Sequence, residues 1–203
     1  MNVLLIHGLG RTPLSMGGVG QVLRRRGHFP HFFGYAAWQH SYGDIVIRLR
    51  QEMVQIADTG PYAIVAHSLG GVLSRSALQD WSGPRPEHII MLGTPNQSPR
   101  LAAIAQPIPL FQWFAAECGA NLASAEFYRH LAPPPVPYTI IAGTAGPQLW
   151  LSPFGAEPND GIVALSETKI HAGDRPVQIQ TLHTFMMNHG SVQSFILSRL
   201  GEA

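Results

Sequence analysis

Ser68 stands in Ala66-His67-Ser68-Leu69-Gly70-Gly71, directly behind the apolar run Tyr62-Ala63-Ile64-Val65. The pattern small-x-Ser-x-Gly suits a sharp strand-to-helix turn that lifts a serine hydroxyl above the end of a sheet as a nucleophile. Small residues two before and two after the serine relieve crowding at such a turn. Gly70 and Gly71 let a helix start tightly, with its N-terminal amides aimed at developing negative charge. Acyl transfer needs three further things: a base, a group that orients the base, and donors for the oxyanion.

Donors are expected from His7-Gly8-Leu9-Gly10, behind the first apolar run, where the backbone amides of Leu9 and Leu69 form an oxyanion hole. His7 reads as a hydrogen-bonding element at the base of that loop. The acid is expected at Asp160, set between Asn159 and Gly161 ahead of Ile162-Val163, as a carboxylate anchored at a turn. Glu157 lies in the same stretch, and Asp174 in Gly173-Asp174-Arg175-Pro176 reads as a turn residue. Two histidines compete for the base. His183 directly ends the run Val177–Leu182, whereas His189 sits in Asn188-His189-Gly190, before the last helix. Position favours His183.

Each of these residues follows a short apolar run, and such runs alternate with amphipathic ones. That alternation predicts an α/β fold with about six mainly parallel strands flanked by helices. Strands are expected at Val3–Ile6, His28–Tyr35, Tyr62–Ala66, Glu87–Leu92, Tyr138–Ala142 and Val177–Leu182. Helices are expected at Ser15–Arg26, Tyr42–Ala57, Gly70–Trp81 and Ser191–Leu200; Ile45, Leu49, Met53 and Ile56 set the spacing of the second. Residues 1–203 read as one domain. Residues 98–135 carry no strand signal and read as one or two inserted helices, where a lid or substrate wall would sit. Their aromatic cluster, Phe111, Trp113 and Phe114, either lines a substrate pocket or packs on the domain.

Composition narrows the partners. Charged residues make up 12%, net charge is +1 and no basic block exceeds Arg24-Arg25-Arg26, so a nucleic-acid partner is not expected. Cys118 is the single cysteine and has no internal disulfide partner. Ten histidines show neither HxH nor HExxH spacing, so no metal or cofactor is expected. The first apolar run, Val3–Ile6, is too short for a signal peptide or a membrane span, which favours the cytoplasm.

The stretches "LLIHGLG", "AIVAHSLGG", "MLGTPNQ", "NDGIV" and "LHTFMMNHGSVQSFILSRL" resemble α/β-hydrolases, and among them small bacterial lipases and esterases with an Ala-His-Ser-x-Gly nucleophile motif. The resemblance runs from residue 3 to residue 200. It implies a minimal α/β-hydrolase fold and a Ser68–His183–Asp160 triad. The catalytic histidine of that family precedes a short apolar stretch and the last helix, as His183 does, which supports His183 over His189. The function it implies is hydrolysis of small-molecule or lipid esters with apolar acyl groups, with transient contact to lipid surfaces. A thioesterase, an acyltransferase, or a non-catalytic ligand-binding protein on the same scaffold are the alternatives.

Overall fold

The computed structural model describes residues 1–101 and 117–201. Six strands form a single parallel sheet: β1 (Asn2–Ile6), β2 (Phe29–Phe33), β3 (Tyr62–His67), β4 (Ile89–Leu92), β5 (Tyr138–Gly143) and β6 (Val177–Ile179), in the order β2-β1-β3-β4-β5-β6. Every neighbouring pair is parallel, so all strands end at the same edge. This is the expected minimal α/β-hydrolase architecture. The helices are α1 (Gly17–Arg25), α2 (Tyr42–Ala57), α3 (Leu69–Leu78), α4 (Ala125–His130) and α5 (Gly190–Leu200), with helical residues also at 117–123.

The two-residue period of a strand divides the core. Leu4, Ile6, Ile64, Ala66, Ile89 and Met91 face α2 and α3, in one cluster with Ile45, Leu49, Met53, Val72 and Leu73. Val3, Leu5, Val65, Ile90, Leu92 and Ile141 face the other way, against Val19 and Leu23 of α1 and Val192 and Ile196 of α5. Covering both faces explains why the strands are continuous apolar runs rather than alternating ones. Each fully buried Leu or Ile contributes about 1.5–3 kcal/mol to this sandwich. The outer strands are β2, which contains Pro30, and β6, which has three residues.

Several boundaries shift from those read in the sequence. The helix expected from Ser15 is a 3₁₀ turn over Pro13–Met16 that leads into α1 at Gly17. Strand β4 begins at Ile89 rather than Glu87. Helix α3 starts at Leu69 and stops at Leu78 instead of Trp81, because Gln79 is extended and Asp80 has φ 54°. Strand β6 ends at Ile179, where Thr181 N turns back to donate to Ile179 O at 2.8 Å. Helix α2 keeps its expected bounds; Ser41 Oγ accepts from the Asp44 amide at 3.0 Å and caps it. No helix among the described residues is long and apolar enough to cross a membrane.

Candidate active site

Ser68 occupies a left-handed backbone, φ 54° and ψ −123°, between β3 and α3. A non-glycine residue held there costs about 1–3 kcal/mol, and the surroundings fix it. The Ser68 amide donates to Leu92 O at 2.9 Å, tying the turn to β4. A Cβ on Gly70 would lie 2.7 Å from Ile6 O and 2.8 Å from His7 O, so α3 begins pressed against the end of β1. One on Gly71 would collide with Thr94. The amide of Leu69, first in α3, is among the unsatisfied donors of a helix N-terminus.

The loop after β1 lies against this turn: a Cβ on Gly8 would meet Ser68 Cβ at 3.0 Å. Gly10 has φ 67°, and the Leu9 amide donates to no group among the described residues. His7 is buried and engaged on both ring nitrogens. Its Nε2 accepts from the Tyr35 amide at 3.3 Å, its Nδ1 donates to Gly8 O at 2.9 Å, and its ring stacks on Tyr35 with centroids 4.2 Å apart. Burial lowers its pKa. These contacts make it a brace for the loop.

Asp160 and His183 come together at the ends of β5 and β6. His183 Nδ1 lies 2.7 Å from Asp160 Oδ2, and the pair is almost fully buried. The other carboxylate oxygen, Oδ1, accepts the amides of Ile162 and Val163 at 2.9 and 2.7 Å. With Nδ1 donating to the carboxylate, the imidazole's basic lone pair lies on Nε2. Gly93 makes room for the pair: a Cβ there would lie 3.0 Å from both Asp160 Oδ2 and His183 Nδ1.

His67, the residue before the serine, was not singled out by the sequence pattern for any role of its own. Its ring packs 4.7 Å from the His183 ring, and its Nε2 donates to His183 O at 3.0 Å. Burial, and secondarily the neighbouring His183, push its pKa well below the usual histidine value. His67 thus links the Ser68 turn to His183.

The remaining sequence candidates fall elsewhere. His189 holds the N-cap position of α5 without a side-chain cap, its buried Nδ1 having no hydrogen-bond partner among the described residues. Asp174 closes a turn, accepting the amides of Ile170 and His171. Glu157 pairs with Arg100, and Cys118 is buried. Phe111, Trp113 and Phe114 lie outside the described residues. Two charged residues escaped the sequence reading. Buried Glu167 holds Arg100 and the Ala164 amide, bolting residues 96–100 to the Asp160 loop. Buried Arg75 ties α3 to Asn96, Leu131 and Ala132. Among the described residues, no group of three or more His, Cys, Asp or Glu is arranged to hold a metal ion.

No protein-family model and no curated protein sequence matches the chain. Solved structures do. The mature form of the Bacillus licheniformis lipase BlEst2 superimposes with a TM-score of 0.75 at 19% identity, over 98% of this chain and 91% of that one. The RedJ thioesterase of the Streptomyces coelicolor prodiginine pathway gives 0.60 at 16% identity, over 100% and 90%. Tomato methylketone synthase I gives 0.65 at 14%, over 98% and 97%. Across these likenesses the fold of the chain is that of the α/β-hydrolases.

Proposed function

We propose that the chain is a serine hydrolase of carboxylic esters with apolar acyl groups. The observation that carries this reading is the buried Asp160–His183 pair beside the strained Ser68 turn. Ser68 Oγ attacks the ester carbonyl while His183 Nε2 takes its proton, and the oxyanion forms against the Leu9 and Leu69 amides. Collapse of the tetrahedral intermediate breaks the C–O bond, and His183 returns the proton to the leaving alcohol. Water then attacks the acyl-enzyme by the same route, releasing the acid. Asp160 orients the imidazole and stabilises its charged form without taking the proton.

Support for an apolar acyl group comes from Ile162, Leu182 and Phe185, which lie within two residues of Asp160 or His183 and are exposed at 44%, 39% and 60%. Phe111, Trp113 and Phe114 are proposed to extend this wall. Likeness to the RedJ thioesterase favours one second reading, a thioester substrate for the same serine. Both are tested with nitrophenyl esters of rising chain length beside an acyl thioester, on wild type, Ser68→Ala and His183→Ala. Turnover of either series that falls about 10⁴-fold in both variants upholds the serine mechanism, and the preferred series names the substrate. Equal turnover in Ser68→Ala overturns it.

A further inference from the structure

A cavity of about 500 Å³ lies off the Ser68 site, between α3, residues 96–98 and α4. That volume falls within the range of small-molecule sites. None of Ser68, Asp160 and His183 lines it. Arg75 does, and it stands seven residues into α3 from Ser68, about 10 Å along the helix.

The chemistry of the described lining is one-sided. Arg75, Arg129 and His171 contribute groups that are or become cationic, Asn96, Gln97, Ser98 and Tyr128 contribute polar groups, and no described lining residue is an acid. Arg75 is 3% exposed, and a buried guanidinium ordinarily has a carboxylate beside it. Here its four hydrogen bonds go to carbonyl oxygens: Ala132 O, Leu131 O, and both Asn96 O and Asn96 Oδ1. One of its five N–H groups is left over. Two acids near Arg75, Glu167 and Asp174, are engaged by other groups. Glu167 is taken by Arg100 and the Ala164 amide, and Asp174 by the Ile170 and His171 amides and the Tyr138 hydroxyl. The Tyr128 hydroxyl is buried with no hydrogen-bond partner among the described residues. A fold that buries a cation with no carboxylate in hydrogen-bond contact, and a hydroxyl without a partner among the described residues, beside an open cavity is one that an anion would complete.

We propose that this cavity binds the carboxylate or phosphate group of a small molecule, with Arg75 and Tyr128 at its base and Arg129 and His171 at its mouth. Carboxylate and phosphate share the acceptor geometry that a guanidinium recognises. The site is separate from the triad, so it does not depend on the serine mechanism.

The test is thermal unfolding of the whole chain in sodium phosphate, sodium acetate or sodium chloride at matched ionic strength. Phosphate or acetate at ten times its Kd raises Tm by about 3–6 °C over chloride. A response to phosphate alone assigns a phosphoryl ligand, and a response to both assigns a general anion site. Glycerol 3-phosphate against phosphatidate vesicles then separates a free phosphate ester from a lipid headgroup. Arg75→Met risks misfolding, because Arg75 also secures Leu131 and Ala132. The double variant Arg129→Ala/His171→Ala changes only exposed side chains and loses most of the shift. Tyr128→Phe is as stable as wild type or more so in chloride, yet responds less to the anion. Equal Tm in all three salts up to 50 mM overturns the site, as does an undiminished shift in both variants.

Discussion

Asp160 holds His183 twice, once through Oδ2 to the ring at 2.7 Å and once through its backbone carbonyl, which accepts the His183 amide at 2.9 Å. The side-chain contact sets the tautomer, while the backbone contact sets where the residue sits. A substitution can therefore remove one and leave the other.

Asp160→Asn does so. The new Oδ1 still accepts the Ile162 and Val163 amides, which turns the NH₂ group toward His183 Nδ1 and forces the ring proton onto Nε2. Turnover should fall about 10⁴-fold with little change in KM or in Tm. Steady-state kinetics on the preferred ester, beside a melting curve, checks it; a loss under tenfold would show that Asp160 does not orient the base.

Ser68→Gly should separate stability from activity. Glycine adopts the Ser68 backbone without strain, which recovers about 1–3 kcal/mol, against about 0.5–1 kcal/mol of extra chain entropy lost on folding. Urea unfolding is expected to show a net gain of about 1 kcal/mol in a protein with no hydrolytic turnover. A less stable variant would place the strain elsewhere.

Gly70→Ala should cost stability and rate together. Its methyl would meet backbone oxygens of Ile6 and His7, which cannot swing aside as the end of a side chain can. The start of α3 must lift, at about 1–3 kcal/mol, and the His7–Leu9 loop moves with it, so kcat falls more than KM rises. Gly17→Ala is the control. Nothing lies within 4 Å of its added Cβ and its φ of −59° is helical, so about 0.4–1 kcal/mol of stabilisation is expected.

His67→Gln should flatten the acid side of the stability profile. The folded-state pKa of His67 is well below its unfolded value near 6.5. Below that unfolded value the unfolded chain binds a proton that the native chain does not, so the stability His67 brings is present above pH 6.5 and is lost as pH falls. Glutamine offers the same donor to His183 O and does not titrate. Between pH 7.5 and pH 5, wild type should lose more Tm than the variant. His7, His28 and His88, also lowered mainly by burial, keep the variant's slope from vanishing. Parallel profiles would remove His67 as a source.

Much of the frame was legible because local chemistry sets it. Helix α2 repeats its apolar residues at helical spacing behind a Ser41 cap, and β3 is a continuous apolar run closed by a turn motif. Asp160 could be chosen from its turn context and His183 from its place directly behind the Val177–Leu182 run, and the structure brings them into contact. Arg75 and Glu167 could not be read this way. Their acceptors and donors lie 56 residues away at Leu131 and 67 at Arg100, and no periodic pattern links such distant positions. On sequence alone, each is one more charge on a polar stretch. The end of β6 could not be read because Gln180, Thr181 and Leu182 continue the run's composition, while the turn of the Thr181 amide onto Ile179 O has no signal in their residue types.

The two outer strands bear on how the protein behaves when concentrated. An unpaired strand edge is a template on which another molecule's strand can grow into an aggregate. Here one edge, β2, contains Pro30, which brings no N–H to donate, and the other, β6, offers three residues before the chain turns away. Neither gives an intruding strand enough consecutive hydrogen bonds to hold on. Self-association at high concentration should then proceed through exposed apolar side chains such as Trp150 and Phe185, and mild detergent should reverse it.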